Sequence, residues 1–227
     1  MWWMLWTACG GSAGPGEAAT AALVSDDVVE VVDDWPTLAF LPTAPTSDAG
    51  LVLYPGGKVE REAYAPILRR VAEAGYPAFI VAVPSDLAIF GVKAAGRVID
   101  DYPDLGPWVL GGHSLGGVAA SIFSDGNDDV TGLLLMAAFP PKNRDLSASG
   151  LAVSSLWGTE DGLVTEADWQ ASADRLPSDA QLIAIPGANH ASFGDYGDQA
   201  DDGTATVPSE DVWDLVAAEA VSLLGGP

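Results

Sequence analysis

The chain has 227 residues, 48% hydrophobic and 18% charged, a composition that supports a buried core and excludes disorder over most of its length. Nine Lys and Arg against 32 Asp and Glu give a net charge of −23, which excludes nucleic acid as a partner and makes an anionic membrane surface unattractive to the folded part. One cysteine and two histidines exclude an intrachain disulfide, a cysteine-rich metal centre and a three-histidine site.

The first eight residues, MWWMLWTA, are apolar and lead through Cys9 into Gly10-Gly11-Ser12-Ala13-Gly14-Pro15-Gly16. A small residue before a cysteine, followed by small residues, resembles a bacterial lipoprotein cleavage site. On that reading Cys9 carries lipid, residues 1–25 form an apolar start and a flexible tether, and the protein sits in the cell envelope. Trp6 stands where an aliphatic residue is usual, and the apolar run lacks a positively charged start. The competing reading is a cytoplasmic protein with an unmodified terminus. Membrane contact is expected only through such an anchor. No apolar run approaches the roughly 18 residues of a transmembrane helix.

From residue 26 to 227 the chain reads as one α/β domain. Val28 to Val32 and Thr37 to Leu41 are short strands, expected to pair as an antiparallel edge. Leu51 to Tyr54 is an apolar strand ending at Pro55-Gly56-Gly57. Residues 63–74 place Tyr64, Ile67, Leu68 and Val71 on one helical face, and Gly75 stops the helix. Ala78 to Val83 is a strand, residues 87–101 a helix, Trp108 to Leu110 a strand and residues 115–124 a helix. Strands follow at Val130 to Ala137 and Leu151 to Trp157, then a helix near 165–174 and a strand at Gln181 to Ile185. Ser209 is placed to cap a last helix with Val212, Val216, Ala220 and Leu223 on its buried stripe. Continuous apolar strands alternating with helices predict a mostly parallel sheet covered on both faces.

Gly112-His113-Ser114-Leu115-Gly116 fits G-x-S-x-G, the strand-to-helix turn that exposes a nucleophilic serine. Gly10-Gly11-Ser12-Ala13-Gly14 fits it too, so the pattern alone decides nothing. Only Ser114 has a strand before it and a helix after it. Its bland alternative is a serine that merely caps the helix. A serine nucleophile needs a general base. His113, at the x position, points away from Ser114, which leaves His190, just past the strand Gln181 to Ile185. The acid that orients it should follow another strand end. Asp161, after Leu151 to Trp157, is the first candidate and Glu160 the alternate. The order Ser114, Asp161, His190 is one of the three familiar orders of this triad. Backbone N–H groups of Leu115 and Gly57 are the candidate oxyanion donors. Asp195, Asp198, Asp201 and Asp202 form an acidic loop that admits two readings, a calcium site or a solvated loop.

The blocks LYPGGKVE (53–60), GYPAFIVAVPSDLAIF (75–90), WVLGGHSLGG (108–117), GTEDGL (158–163) and NHASFGDYGDQADDGTAT (189–206) together resemble the α/β-hydrolase superfamily. The nearest branch is a compact bacterial one without a lid, distantly related to dienelactone hydrolases. The resemblance implies the same triad and no cofactor or metal. Asp201 stands where glycine is more usual in that branch. Dienelactone hydrolases use a cysteine nucleophile, which Cys9 does not supply. The expected activity is hydrolysis of a small carboxylic ester through an acyl-enzyme. Acyl transfer or perhydrolysis by the same triad and a non-catalytic binding module are the alternatives. The expected pocket is open and modest, walled by Tyr64, Leu87, Phe90, Phe139 and Phe193.

Overall fold

The computed structural model describes residues 12–226. Eight strands form one sheet in the order β1-β2-β4-β3-β5-β6-β7-β8. They are β1 (Val29–Asp34), β2 (Thr37–Pro42), β3 (Gly50–Tyr54), β4 (Ala78–Val81), β5 (Trp108–His113), β6 (Val130–Met136), β7 (Ala152–Gly158) and β8 (Gln181–Ile185). β1 and β2 form an antiparallel hairpin with Asp34 opposite Thr37, and β2 pairs antiparallel with β4. Every other pairing is parallel.

The inner strands β3 to β7 are buried on both faces, where successive side chains point opposite ways, while the edge strands β1 and β8 are largely exposed or half-buried. Leu51, Leu53, Leu134 and Met136 pack with Ile67, Leu68 and Val71 of α2 (Ala65–Glu73) and with Val212, Val216 and Ala220 of α6 (Ser209–Leu223). Val52, Tyr54, Leu133 and Leu135 pack with Ala95 and Val98 of α3 (Ala94–Asp101) and with Ala119 and Ala120 of α4 (Leu115–Ser124). Among the described residues no inserted segment covers the ends of the strands as a lid; residues 137–151 join β6 to β7 without a helix.

Three local expectations need correction. The described part of the tether is docked on the domain. Ala13 bridges to Val59, its N–H reaching the Lys58 carbonyl at 2.8 Å, and α1 (Glu17–Ala22) buries Ala19 and Ala22. The Asp195 carboxylate accepts the Ala19 N–H at 2.7 Å, and a Cβ on Gly16 would come within 2.3 Å of that carboxylate. Small residues read as a spacer are therefore used for close approach. Cys9 and the apolar start lie outside the described residues.

The helix expected over 87–101 is reduced to α3, preceded by two short 3-10 turns. The buried Tyr54 hydroxyl donates to the Val92 carbonyl and accepts the Ala95 N–H, which holds the chain out of helix before Ala94. Ser209 is the first residue of α6 and caps nothing; Pro208 takes the cap position without a side-chain bond, and Leu223 is only half-buried.

Candidate active site

β5 runs directly into α4, with Ser114 between them at φ 52° and ψ −120°. A non-glycine residue at positive φ is strained and is held only where its surroundings over-determine it. Here the Ser114 N–H donates to the Met136 carbonyl at 2.9 Å. A Cβ on Gly112 would meet the Gly116 backbone at 2.3 Å, and one on Gly116 would meet the Tyr54 carbonyl oxygen at 2.2 Å. Both flanking positions therefore require glycine. The Ser114 side chain makes no capping bond to α4, so helix capping does not explain the residue.

His190 opens a 3-10 turn, His190–Phe193, capped by Asn189, whose side chain accepts the Ser192 N–H at 3.0 Å. Its Nδ1 lies 2.9 Å from Oδ2 of Asp161, and the two side chains are 2% and 0% exposed. The other Asp161 oxygen accepts the N–H groups of Leu163 at 2.8 Å and Val164 at 2.7 Å. A carboxylate so placed accepts a hydrogen bond from Nδ1–H, which leaves Nε2 with its lone pair. Nε2 is buried and has no protein partner. The alternate acid, Glu160, is exposed, and its carboxylate accepts a hydrogen bond only from its neighbour Thr159.

His113 lies beneath the turn, 1% exposed, its ring centroid 4.6 Å from that of His190. Its Nδ1 is 2.9 Å from the Tyr64 hydroxyl, which itself accepts the Gly56 N–H at 2.9 Å. Burial, and then the neighbouring His190, hold the His113 imidazole well below the usual histidine range, so it is neutral at pH 7.

The loop after β3 offers three N–H groups. That of Gly56 is taken by Tyr64, and that of Lys58 by the Asp86 carbonyl at 2.7 Å. Gly57 remains, and an ideal Cβ on it would lie 3.5 Å from the Leu115 side chain. Leu115 begins α4, where the first N–H groups have no partner within the helix.

Ser114, Leu115, Gly57 and His190 share one cleft of about 640 Å³, also walled by Leu87, Val118, Ala137, Phe139, Leu163 and Val164. Of the expected pocket residues, Leu87 and Phe139 are there. Tyr64 and Phe193 are fully buried beneath the site, where the Phe193 ring stacks on His113 at 5.8 Å. Phe90 is 67% exposed and outside the cleft, because its short 3-10 turn aims it at solvent. Lys58 and Gln199 line the cleft and were not anticipated.

Backbone N–H groups engage one carboxylate of the acidic loop. Asp202 Oδ1 accepts the N–H groups of Gly162 at 3.0 Å and His190 at 3.1 Å, and Oδ2 accepts that of Ala191 at 2.8 Å. One carboxylate thus ties the Asp161 loop to the His190 turn. Asp195 holds α1, while Asp198 and Asp201 are exposed. Among the described residues no group of three or more His, Cys, Asp or Glu side chains is placed to hold a metal ion.

A family model described as "Alpha/beta hydrolase family" matches residues 50–214, which takes in the elbow, the acid loop and the His190 loop. The chain belongs to the alpha/beta hydrolase family. Solved structures share this hydrolase's fold at low identity. TT1662 from Thermus thermophilus superposes with a TM-score of 0.63 at 16% identity, covering 88% of this chain and 99% of that one. A putative dienelactone hydrolase from Klebsiella pneumoniae gives 0.62 at 14%, covering 87% and 98%. The esterase domain of a Rhodothermus marinus protein gives 0.62 at 13%, also covering 87% and 98%. No curated protein matches the hydrolase's sequence.

Proposed function

We propose that the protein is a serine hydrolase of small carboxylic esters that works through an acyl-enzyme. One observation carries the reading. His190 has Nδ1 on a buried carboxylate and a buried, unpartnered Nε2, and it lines the same cleft as a serine hydroxyl that caps nothing.

On this reading His190 Nε2 takes the proton of Ser114 as its Oγ attacks the ester carbonyl. The imidazolium that forms is stabilised by Asp161, which stays ionised. Negative charge gathers on the carbonyl oxygen, where the N–H groups of Gly57 and Leu115 meet it, each worth on the order of 10²–10³ in rate. Collapse breaks the bond to the alcohol oxygen, which leaves with the proton from His190. Water then repeats the sequence on the acyl-serine, with His190 again as base, and the acid departs. Neutral His113 and Tyr64 support the Gly56-Gly57 loop from below.

The mostly apolar walls and the absence of a lid among the described residues favour short acyl groups. The esterases among the structural neighbours support the reaction class, including Thermogutta terrifontis esterase 2, whose structure is described as phosphoramylated by tabun. Hydrolysis of 4-nitrophenyl esters from acetate to laurate tests the proposal. We expect kcat/KM to be highest among the short esters. Failure to cleave any member at a rate above that of the Ser114→Ala variant would overturn it.

A further inference from the structure

Six non-glycine residues among those described have positive φ, namely Lys58, Ser85, Asp86, Ser114, Ala137 and Asp201. Strain of this kind collects at working sites. Lys58, Ser114 and Ala137 line the cleft. Ser85 and Asp86 hold Lys58: the Asp86 carbonyl accepts its N–H at 2.7 Å, and the Ser85 carbonyl accepts a hydrogen bond from its Nζ at 2.9 Å. On the other side the Lys58 carbonyl accepts the Ala13 N–H at 2.8 Å. The backbone of this lysine is clamped from two directions in a conformation it would not choose alone.

The chain has 32 acidic residues and nine basic ones, yet no carboxylate is among the described residues lining the cleft. Lys58 is the one full charge among them, and it forms no ion pair within the described residues. An ammonium has three donors, and Ser85 takes one. Its stem starts one residue beyond Gly57, about 3.8 Å away between Cα atoms. A cation on the wall of the cleft that also holds the candidate oxyanion donors would meet a second functional group of the substrate.

We propose that Lys58 is a specificity determinant that binds an anionic group of the substrate, the substrate class being esters that carry a carboxylate on the acyl chain. The proposal rests on the hydrolase reading of the same cleft. The overall charge does not defeat it. That field is diffuse and is screened over about 8 Å at physiological salt, whereas Lys58 makes direct contact.

The test compares the 4-nitrophenyl half-ester of glutarate with 4-nitrophenyl pentanoate, matched in chain length, and reads the ratio of their kcat/KM values. Lys58→Met should lower the ratio of charged to neutral ester about tenfold or more, mainly through KM, and Lys58→Arg should restore it to within about threefold. A ratio in Lys58→Met within about twofold of wild type would overturn the proposal. Calorimetric binding of glutaramate, the corresponding amide, does not depend on turnover. Wild type should bind it at least about tenfold more tightly than Lys58→Met, and equal affinity overturns the proposal. A wild type that binds glutaramate through Lys58 yet cleaves neither ester would support the anion site and count against the hydrolase reading.

Discussion

His190 Nδ1 lies 2.9 Å from Asp161 Oδ2 with both side chains buried, and the second carboxylate oxygen is fixed by two backbone N–H groups. Orientation of the imidazole therefore depends on a carboxylate that cannot swing away. Asp161→Asn should keep the fold and cost on the order of 10³-fold in kcat, since an amide favours the wrong tautomer. The check is kcat beside a melting curve. A loss below about tenfold with the fold intact would remove Asp161 from the mechanism.

Asp202 acts at one remove, through the N–H groups of Gly162, His190 and Ala191. Asp202→Asn swaps one acceptor for a donor that faces N–H. We expect kcat/KM on a neutral ester to fall about tenfold with KM little changed, because a small misplacement of a base is costly. Amide hydrogen exchange at those three positions should accelerate in the same variant. Unchanged exchange would deny Asp202 its positioning role.

Gly116 of the elbow and Gly57 of the loop after β3 can be separated by space alone. Gly116→Ala places a methyl 2.2 Å from the Tyr54 carbonyl oxygen, backbone that cannot turn aside. A loss of about 3 kcal/mol or more is expected, since overpacking here displaces a strand. At Gly57 an added Cβ would find its nearest neighbour at 3.5 Å, ordinary contact with a side chain. Gly57→Ala should cost less than about 1 kcal/mol. Urea midpoints of the two variants decide the matter.

Much of this site was legible in the sequence because it depends on short-range order. A strand of continuous apolar residues must be buried, and Gly112 and Gly116 two places either side of Ser114 announce a turn that admits no Cβ. His190 and Asp161 followed by elimination and by position after strand ends. What escaped was contact between distant segments. The Asp202–Gly162 bond spans 40 residues and the Asp195–Ala19 bond 176, so no local pattern marks either. The helix expected from residue 87 met the buried Tyr54 hydroxyl, a tertiary competitor that periodicity cannot show. Tyr64 and Phe193, expected in the pocket wall, are buried beneath the site against His113, a depth that no local pattern marks.

His113 gives the fold a pH dependence of its own. Burial lowers its proton affinity in the folded state, so below about pH 6.5 the unfolded chain binds a proton that the folded one refuses. The stability this residue contributes is complete above that pH and falls as pH drops, by up to about 1.4 kcal/mol per unit. Denaturation of wild type and His113→Gln at pH 7.5 and 5 should show a steeper decline in wild type. Equal slopes would mean that the imidazole is protonated where it lies.

The central claim is that Ser114 attacks the substrate, and the most direct measurement is labelling by a fluorophosphonate, with the adduct located by mass spectrometry, beside hydrolysis of 4-nitrophenyl acetate. The account predicts one adduct, on Ser114, and a loss of about 10⁴-fold or more in kcat/KM for Ser114→Ala with the fold unchanged. Hydrolysis by Ser114→Ala at the wild-type rate, or an adduct on another residue with Ser114 unmodified, would contradict it.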